Sequence, residues 1–426
     1  MHPDQTLLLA ITGMSPAVVT ETLYAIDRKG QQWPNAIKII TTTVGKKIAC
    51  QSLINEGHLI ALCIELGKPQ ISFCETDVLV VPNPDGQGVE DARSIEDHEA
   101  LANFIMQILR DETQNPRTRI HASLAGGRKT MTFYLGYAMS LFGRHFDQLS
   151  HVLVSDGFEA CKDFYYPTRT DHFIKTLTGE TLNAKNAQVT LADIPFIRQR
   201  SLVPALIKEV EDKINFRQLV DLINLGDQPE ALKLRVHQKS QRFEIFSIYQ
   251  DQPVAEVSIS APLHWCFYLL LLEDASQLLA EDRGQYARPK AGTVDHEMTT
   301  QLMVKLVEVY DLHAPGGTGT EIIDNLLEGF ELEHKDLSIT RGLEAVRGGF
   351  KPSTFSDYCT SIKRSLEEQL PKNLASCLIF EPILACDPEE DGANEDLLDN
   401  KSKRGKGYAY GITLPQPHKQ LEFLLD

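Results

Sequence analysis

The sequence predicts an α/β protein whose first half is built on a mainly parallel sheet and whose second half is mostly helical. Over residues 1–170, strand-length apolar runs alternate with amphipathic stretches, the pattern of successive β–α units. Beyond Pro195 helical periodicity takes over and strand-like pieces become short. At 426 residues the chain also exceeds what one hydrophobic core supports, so two or three domains are expected.

In chain order, Thr6–Thr12 reads as a buried strand and Pro16–Lys29 as a helix. Ala36–Thr42 is a second strand, Gly45–Leu66 a helix, and Ile71–Val81 a third strand. After the acidic loop Pro82–Ser94 come a helix over Ile95–Arg110, a strand over Arg119–Leu124, a helix over Lys129–Phe142 and a strand over His151–Ser155. Phe164–Tyr166 is expected to add an edge strand, and the polar, turn-rich Thr168–Ala192 reads as a connector. Helices are then expected over Val203–Leu225, Pro262–Leu279, His296–Tyr310, Glu321–Leu327 and Thr354–Leu370. Strand-like pieces at Phe243–Tyr249 and Ala255–Ile259 interrupt them. Cys377–Ala385 and Tyr408–Leu414 read as a hairpin around a loop that is acidic over Asp387–Asp399 and basic over Lys401–Lys406, a winged-helix-like ending. The expected division is residues 1–185, a connector and helical region at 186–280, and a helical, winged-helix-like domain at 281–426.

Composition narrows the function classes. Hydrophobic residues make up 42% and charged residues 24%, which excludes a disordered, collagen-like or coiled-coil chain. The longest apolar runs, Leu7–Ile11 and Cys266–Leu272, are far shorter than the ~18–20 residues of a membrane span, so no membrane partner is expected. Eight scattered cysteines without a CxxC pair argue against a disulfide framework or structural zinc and fit a reducing cytoplasm. The net charge of −17 is uneven: residues 1–200 hold 19 basic and 22 acidic side chains, residues 201–426 hold 23 and 37. Duplex DNA calls for a basic field, so the acidic second half disfavours it as a partner.

Three loops follow strands at the carboxyl edge of the expected sheet, where open α/β sheets bind ligands. The first is Thr12-Gly13-Met14-Ser15-Pro16. Gly13 permits a tight turn, Ser15 is placed to cap the next helix, and Pro16 suits its first position. The same loop can instead receive an anion on free amides and the Ser15 hydroxyl. The second is Ser123-Leu124-Ala125-Gly126-Gly127-Arg128-Lys129-Thr130. Gly126 and Gly127 allow close backbone approach, Arg128 offers a bidentate fork and Lys129 a compact charge. Cations at a helix N-terminus oppose the macrodipole, so two of them there suggest an anion that offsets the repulsion. The third, Thr41-Thr42-Thr43-Val44-Gly45-Lys46-Lys47, repeats hydroxyls, glycine and cations, and reads equally well as a polar loop entering a helix. Together they describe a phosphate-binding, metal-free crevice with no cofactor. A Walker A loop, a GxSxG elbow, an HExxH motif and a GxGxxG after the first strand are all absent from the sequence. His151 and His264 read as packing residues.

The opening run Leu7–Pro16, the element Ala125–Met131, Val152–Val154 followed by Phe164–Pro167, and Leu191–Phe196 resemble a family of CRISPR-associated ring nucleases. That resemblance implies an N-terminal Rossmann-like CARF domain over residues 1–185, a sensor of cyclic oligoadenylates. It implies a homodimer whose two crevices join to hold cyclic tetra-adenylate or a related ring, the second messenger of type III CRISPR antiviral defence. It also implies catalytic roles for Ser15 and Lys129. Ligand contacts are then expected from Thr12, Gly13, Met14, Thr42, Thr43, Gly45, Gly126, Gly127, Arg128 and Thr130. The alternative is a cyclic-oligoadenylate-activated regulator or effector that acts through the C-terminal region.

Overall fold

The computed structural model describes residues 3–83, 85–90, 93–159, 161–176, 178–203, 215–277, 286–287, 292–313, 316–333, 337–383 and 409–426. The chain forms two compact units, one running to Val203 with Asn215–Arg217, the other holding Gln218–Asp426.

In the first unit, β1 (Gln5–Ile11) leads into α1 (Ala17–Arg28), and β2 (Ala36–Thr41) into α2 (Thr43–Ala49) and α3 (His58–Leu66). Then come β3 (Val78–Val80), α4 (Ile95–Glu112), β4 (Thr118–Ser123), α5 (Lys129–Phe142) and β5 (Gln148–Val154). The short pair β6 (Phe173–Lys175) and β7 (Thr181–Asn183) precedes β8 (Val189–Asp193). One six-stranded sheet runs β3-β2-β1-β4-β5-β8. The first five strands are parallel and β8 closes the edge antiparallel to β5. A strand buried on both faces needs no polar alternation, which is why Leu7–Ile11 is continuously apolar. Leu8 and Ala10 share a core with Val19 and Leu23 of α1 and with Leu59 and Leu62 of α3, while Leu7, Leu9 and Ile11 are equally buried. The mixed α/β class, the mainly parallel sheet and the mostly helical second half are as the sequence predicts.

At the amino edge of the sheet, Asp147 is fully buried at the start of β5. Its carboxylate accepts from the Ile120 amide at 2.8 Å and pairs with Arg144 at 2.9 Å. The Arg144 guanidinium also donates to the carbonyls of Thr113, Asn115 and Thr118. This network ties the starts of β4 and β5 together.

Four expectations need correction. The helix over Gly45–Leu66 is broken: after α2, Cys50–Asn55 winds as a wider π-turn, and Gly57 at φ +75 takes the left-handed region before α3. The strand expected over Ile71–Val81 is reduced to β3, because Asp77 accepts from the Cys74 amide at 2.8 Å and folds Glu75–Asp77 into a 3-10 turn. Phe164–Tyr166 is no edge strand; Phe164 is buried with Phe158, Cys161 and Ile174. The connector Thr168–Ala192 holds β6, β7 and most of β8, so the true edge strand lies there.

In the second unit, β9 (Leu232–His237), β10 (Arg242–Ser247) and β11 (Ala255–Ser258) pair antiparallel, and β15 (Leu421–Leu424) joins β9 in parallel. Neither β9 nor β15 is anticipated by the pattern. The helix Pro262–Gln277 is buried on nearly all sides, with Trp265, Phe267 and Tyr268 fully inside, so its period gives no amphipathic stripe. Helices His296–Val309, Gly319–Glu333, Leu337–Val346, Pro352–Gln369 and Lys372–Leu378 surround it. The expected hairpin is present in part. β13 (Glu381–Ile383) pairs antiparallel with β14 (Ala409–Gly411), which also pairs with β12 (Tyr286–Ala287), but Lys372–Leu378 is helical. The charged loops Asp387–Asp399 and Lys401–Lys406 lie outside the described residues. Among the described residues no helix is long and apolar enough to cross a membrane. None of the seven described cysteines forms a disulfide with another described residue.

Candidate functional site

β1 and β4 are neighbours in the sheet centre, yet the chain passes outward through β2 and β3 between them. Strand order reverses there, and a crevice opens beyond the carboxyl ends. Loop one, after β1, and loop two, after β4, meet at this point: a Cβ on Gly13 would lie 3.5 Å from the Cα of Gly127. Between them is a cleft of about 370 Å³. Gly13, Met14 and Ser15 line it from loop one, Ala125, Gly126 and Gly127 from loop two. α1 contributes Val18 and Glu21, β5 contributes His151 through Val154, and Glu159 follows from the next turn.

The two consecutive glycines are what let the loops approach. A side chain on Gly126 would sit 2.6 Å from the Ile11 carbonyl oxygen, and one on Gly127 2.3 Å from Ile11 Cγ2. Gly127 also has φ +83, a left-handed conformation that favours glycine. Gly13 has neither constraint, since its Cβ would make only ordinary contacts. The close approach that the sequence assigns to a phosphate is therefore first a loop-to-loop contact. Gly127→Ala is expected to cost about 2 kcal/mol of stability in the first unit from backbone strain and overpacking. Faster hydrogen exchange in β1 and β4, with the second unit unchanged, is the result to look for.

Ser15 does not cap α1. The cap position is Pro16, already helical at φ −76 and ψ −9, and no side chain caps the helix. The Ser15 hydroxyl is exposed and has no hydrogen bond among the described residues, which leaves it available to a ligand. Arg128 and Lys129 head α5, exposed, with no side-chain cap. Neither they nor Thr130 line the cleft; they stand next to Gly127 at its rim. Loop three lies behind loop one rather than in the cleft. Thr42 caps α2 by accepting from the Gly45 amide at 3.3 Å, and the Thr43 amide donates to the Val89 carbonyl. Gly45 is buried, and a Cβ there would come 2.0 Å from Thr41 Oγ1 and 3.0 Å from the Gly13 carbonyl oxygen. Thr12 is also interior, its carbonyl accepting from Thr41 Oγ1 at 2.8 Å.

The cleft contains residues that the loop motifs do not announce. None of its lining side chains is Lys or Arg, and two are glutamates. Glu21 is 6% exposed, and burial, with a smaller contribution from the Glu159 charge, pushes its carboxyl up to about 8. The signal in the sequence is its phase: Glu21 is three residues after Val18 and four before Ala25, on the inward stripe of α1. His151 lines the cleft, whereas His264 packs edge-on against Tyr358. Beneath α1, Thr22 bonds Ser123 at 3.2 Å, and His121 bonds Ser150 at 2.7 Å; burial drives the His121 ring down to about 4. Among the described residues no cluster of three His, Cys, Asp or Glu side chains is placed to hold a metal ion.

No curated protein matches the chain. Residues 15–224 match the family described as CRISPR-associated protein NE0113, a span that takes in Ser15, α1, loop two and β5. The match supports a CRISPR-associated protein.

Proposed function

We propose that the protein is a ring nuclease. Two chains pair, their switch-point crevices join around one cyclic tetra-adenylate, and each cuts one phosphodiester without a metal cofactor. Removing this messenger in the cytoplasm would switch off type III CRISPR signalling. The observation that carries the reading is the meeting of loops one and two at the strand-order reversal, with the unbonded Ser15 hydroxyl at the cleft.

A ribose 2′-oxygen held in line attacks its own 3′-phosphorus. The P–O5′ bond breaks, the 2′-hydroxyl proton passes to water, and the 5′-oxygen takes up a proton. The protein's task is to fix that geometry and to stabilise the charge that builds on the phosphate. Ser15 and the loop amides, including those at the start of α1, suit the scissile phosphate. Arg128 would clamp it, and Lys129 would stabilise the phosphorane and protonate the leaving oxygen. The reading assigns no general base among the described residues, so turnover is expected to be slow. Two symmetric cuts yield linear dinucleotides ending in a 2′,3′-cyclic phosphate.

The test is a single-turnover incubation of the full chain with cyclic tetra-adenylate in EDTA, followed by chromatography and mass measurement. Linear di-adenylate with a cyclic phosphate end supports the proposal. An intact ring after hours overturns it, and a ring that is bound but uncut favours a regulator acting through the C-terminal region.

A further inference from the structure

Glu21 is the most buried ionisable side chain lining the cleft, yet phosphate binding gives it no task. It makes no hydrogen bond or ion pair with any described residue. A buried carboxyl with no protein partner calls for an explanation, and its exposure to an open cleft makes a ligand group the natural one. Resting on the adenylate reading above, we infer that protonated Glu21 reads an adenine base, its O–H donating to a ring nitrogen and its carbonyl oxygen accepting from the exocyclic amine.

Glu21 lies one turn further along α1 than the residues that suit the phosphate. It is four residues beyond Ala17, the first residue of α1, which is roughly 6 Å of helix rise below the free amides. The carboxyl lines the same cleft as Gly13, Ser15 and Gly126, so a nucleotide whose phosphate sits on loops one and two can bring its base to Glu21. The same lining includes Val18, Val152 and Val154, which offer apolar contacts to a base while loops one and two hold the polar end. Charge agrees with the fork. An ionised carboxylate only accepts, which suits the donor edge of guanine, whereas a neutral carboxyl presents one donor beside one acceptor, the complement of adenine. A neutral group is also compatible with a phosphate nearby.

Burial holds Glu21 in that form, with a smaller contribution from the Glu159 charge, and the groups on the elements packed against α1 are these. From β5 and the turn after it come His151 and the exposed Glu159. On β8, Asp193 is held by Lys29 at 2.5 Å. On α3, Cys63 is a buried thiol, His58 stacks on Tyr165, and Glu65 accepts from the Arg169 amide. Among the described residues, no lysine or arginine lines the cleft beside the Glu21 carboxyl.

The experiment is a titration of labelled cyclic tetra-adenylate into the full chain between pH 6.5 and 9.5, using Lys129→Ala to slow cutting below the time of the measurement. With one Glu21 from each of the two chains at the ring, a carboxyl near 8 predicts that affinity falls about 30-fold per carboxyl, on the order of 10³-fold per ring, from pH 7 to 9.5. Glu21→Gln, whose carboxamide keeps one donor and one acceptor at every pH, should bind equally across that range. Glu21→Ala should lose at least 10-fold at pH 7, and Glu159→Gln should move the wild-type midpoint to lower pH. Affinity that is flat with pH and unchanged in Glu21→Ala overturns the inference while leaving the adenylate site intact. Failure of the parent protein to bind any cyclic oligoadenylate overturns the underlying reading, and with it this assignment.

Discussion

Lys129→Ala is expected to slow ring cleavage by a factor on the order of 10²–10³, the usual effect of deleting one group that stabilises transition-state charge. The ammonium is exposed at the first position of α5 and makes no ion pair among the described residues. A cation there opposes the macrodipole, so its removal should leave the helix unharmed or stabilise it by about 0.3–1 kcal/mol. The combination is diagnostic: a large loss of rate with no loss of folding means the lysine serves a ligand. Ser15→Ala should also slow cleavage without destabilising α1, because the hydroxyl caps nothing. Rates are to be measured at single turnover, with unfolding followed in parallel. A Lys129→Ala protein that cuts at the wild-type rate removes lysine from the mechanism.

Asp147→Ala is expected to cost about 3–5 kcal/mol in the first unit, the scale for stranding a buried charge. Arg144 would keep its three carbonyl partners but lose the carboxylate that neutralises it, and the Ile120 amide would lose its acceptor. The network is at the amino edge of the sheet, opposite the cleft, so the loss should appear in hydrogen exchange of β4 and β5. Ring binding by the fraction that remains folded should be unchanged. Wild-type exchange rates in this variant would show that Asp147 contributes little.

What could be read from residues follows from which physical signal each region carries. The five parallel strands are plain because burial on both faces makes runs such as Leu7–Ile11 continuously apolar, and loops one and two are plain because glycines and cations punctuate strand ends. Glu21 is hidden because a single acid on a helix looks like a solvated face until the helix phase and the sheet it covers are known. The edge strand β8 is hidden because Val189–Asp193 is short, buries only Leu191, and lies in a polar, turn-rich stretch. Thr42, Thr43 and Gly45 have residue types that suit phosphate binding, and the fold also gives them local tasks: Thr42 caps α2 and Gly45 packs against Thr41 and loop one. In the second unit the helix Pro262–Gln277 is central and buried on nearly all sides, so its pattern gives no direction, and β9 and β15 pair residues 187 apart in the chain.

The most direct test of the central claim is a calorimetric titration of the cleavage-blocked Lys129→Ala protein with cyclic tetra-adenylate. One ring bound per two chains, weakened by Gly127→Ala, is the predicted result. No saturable heat, or binding unaffected when loops one and two are forced apart, would contradict the account.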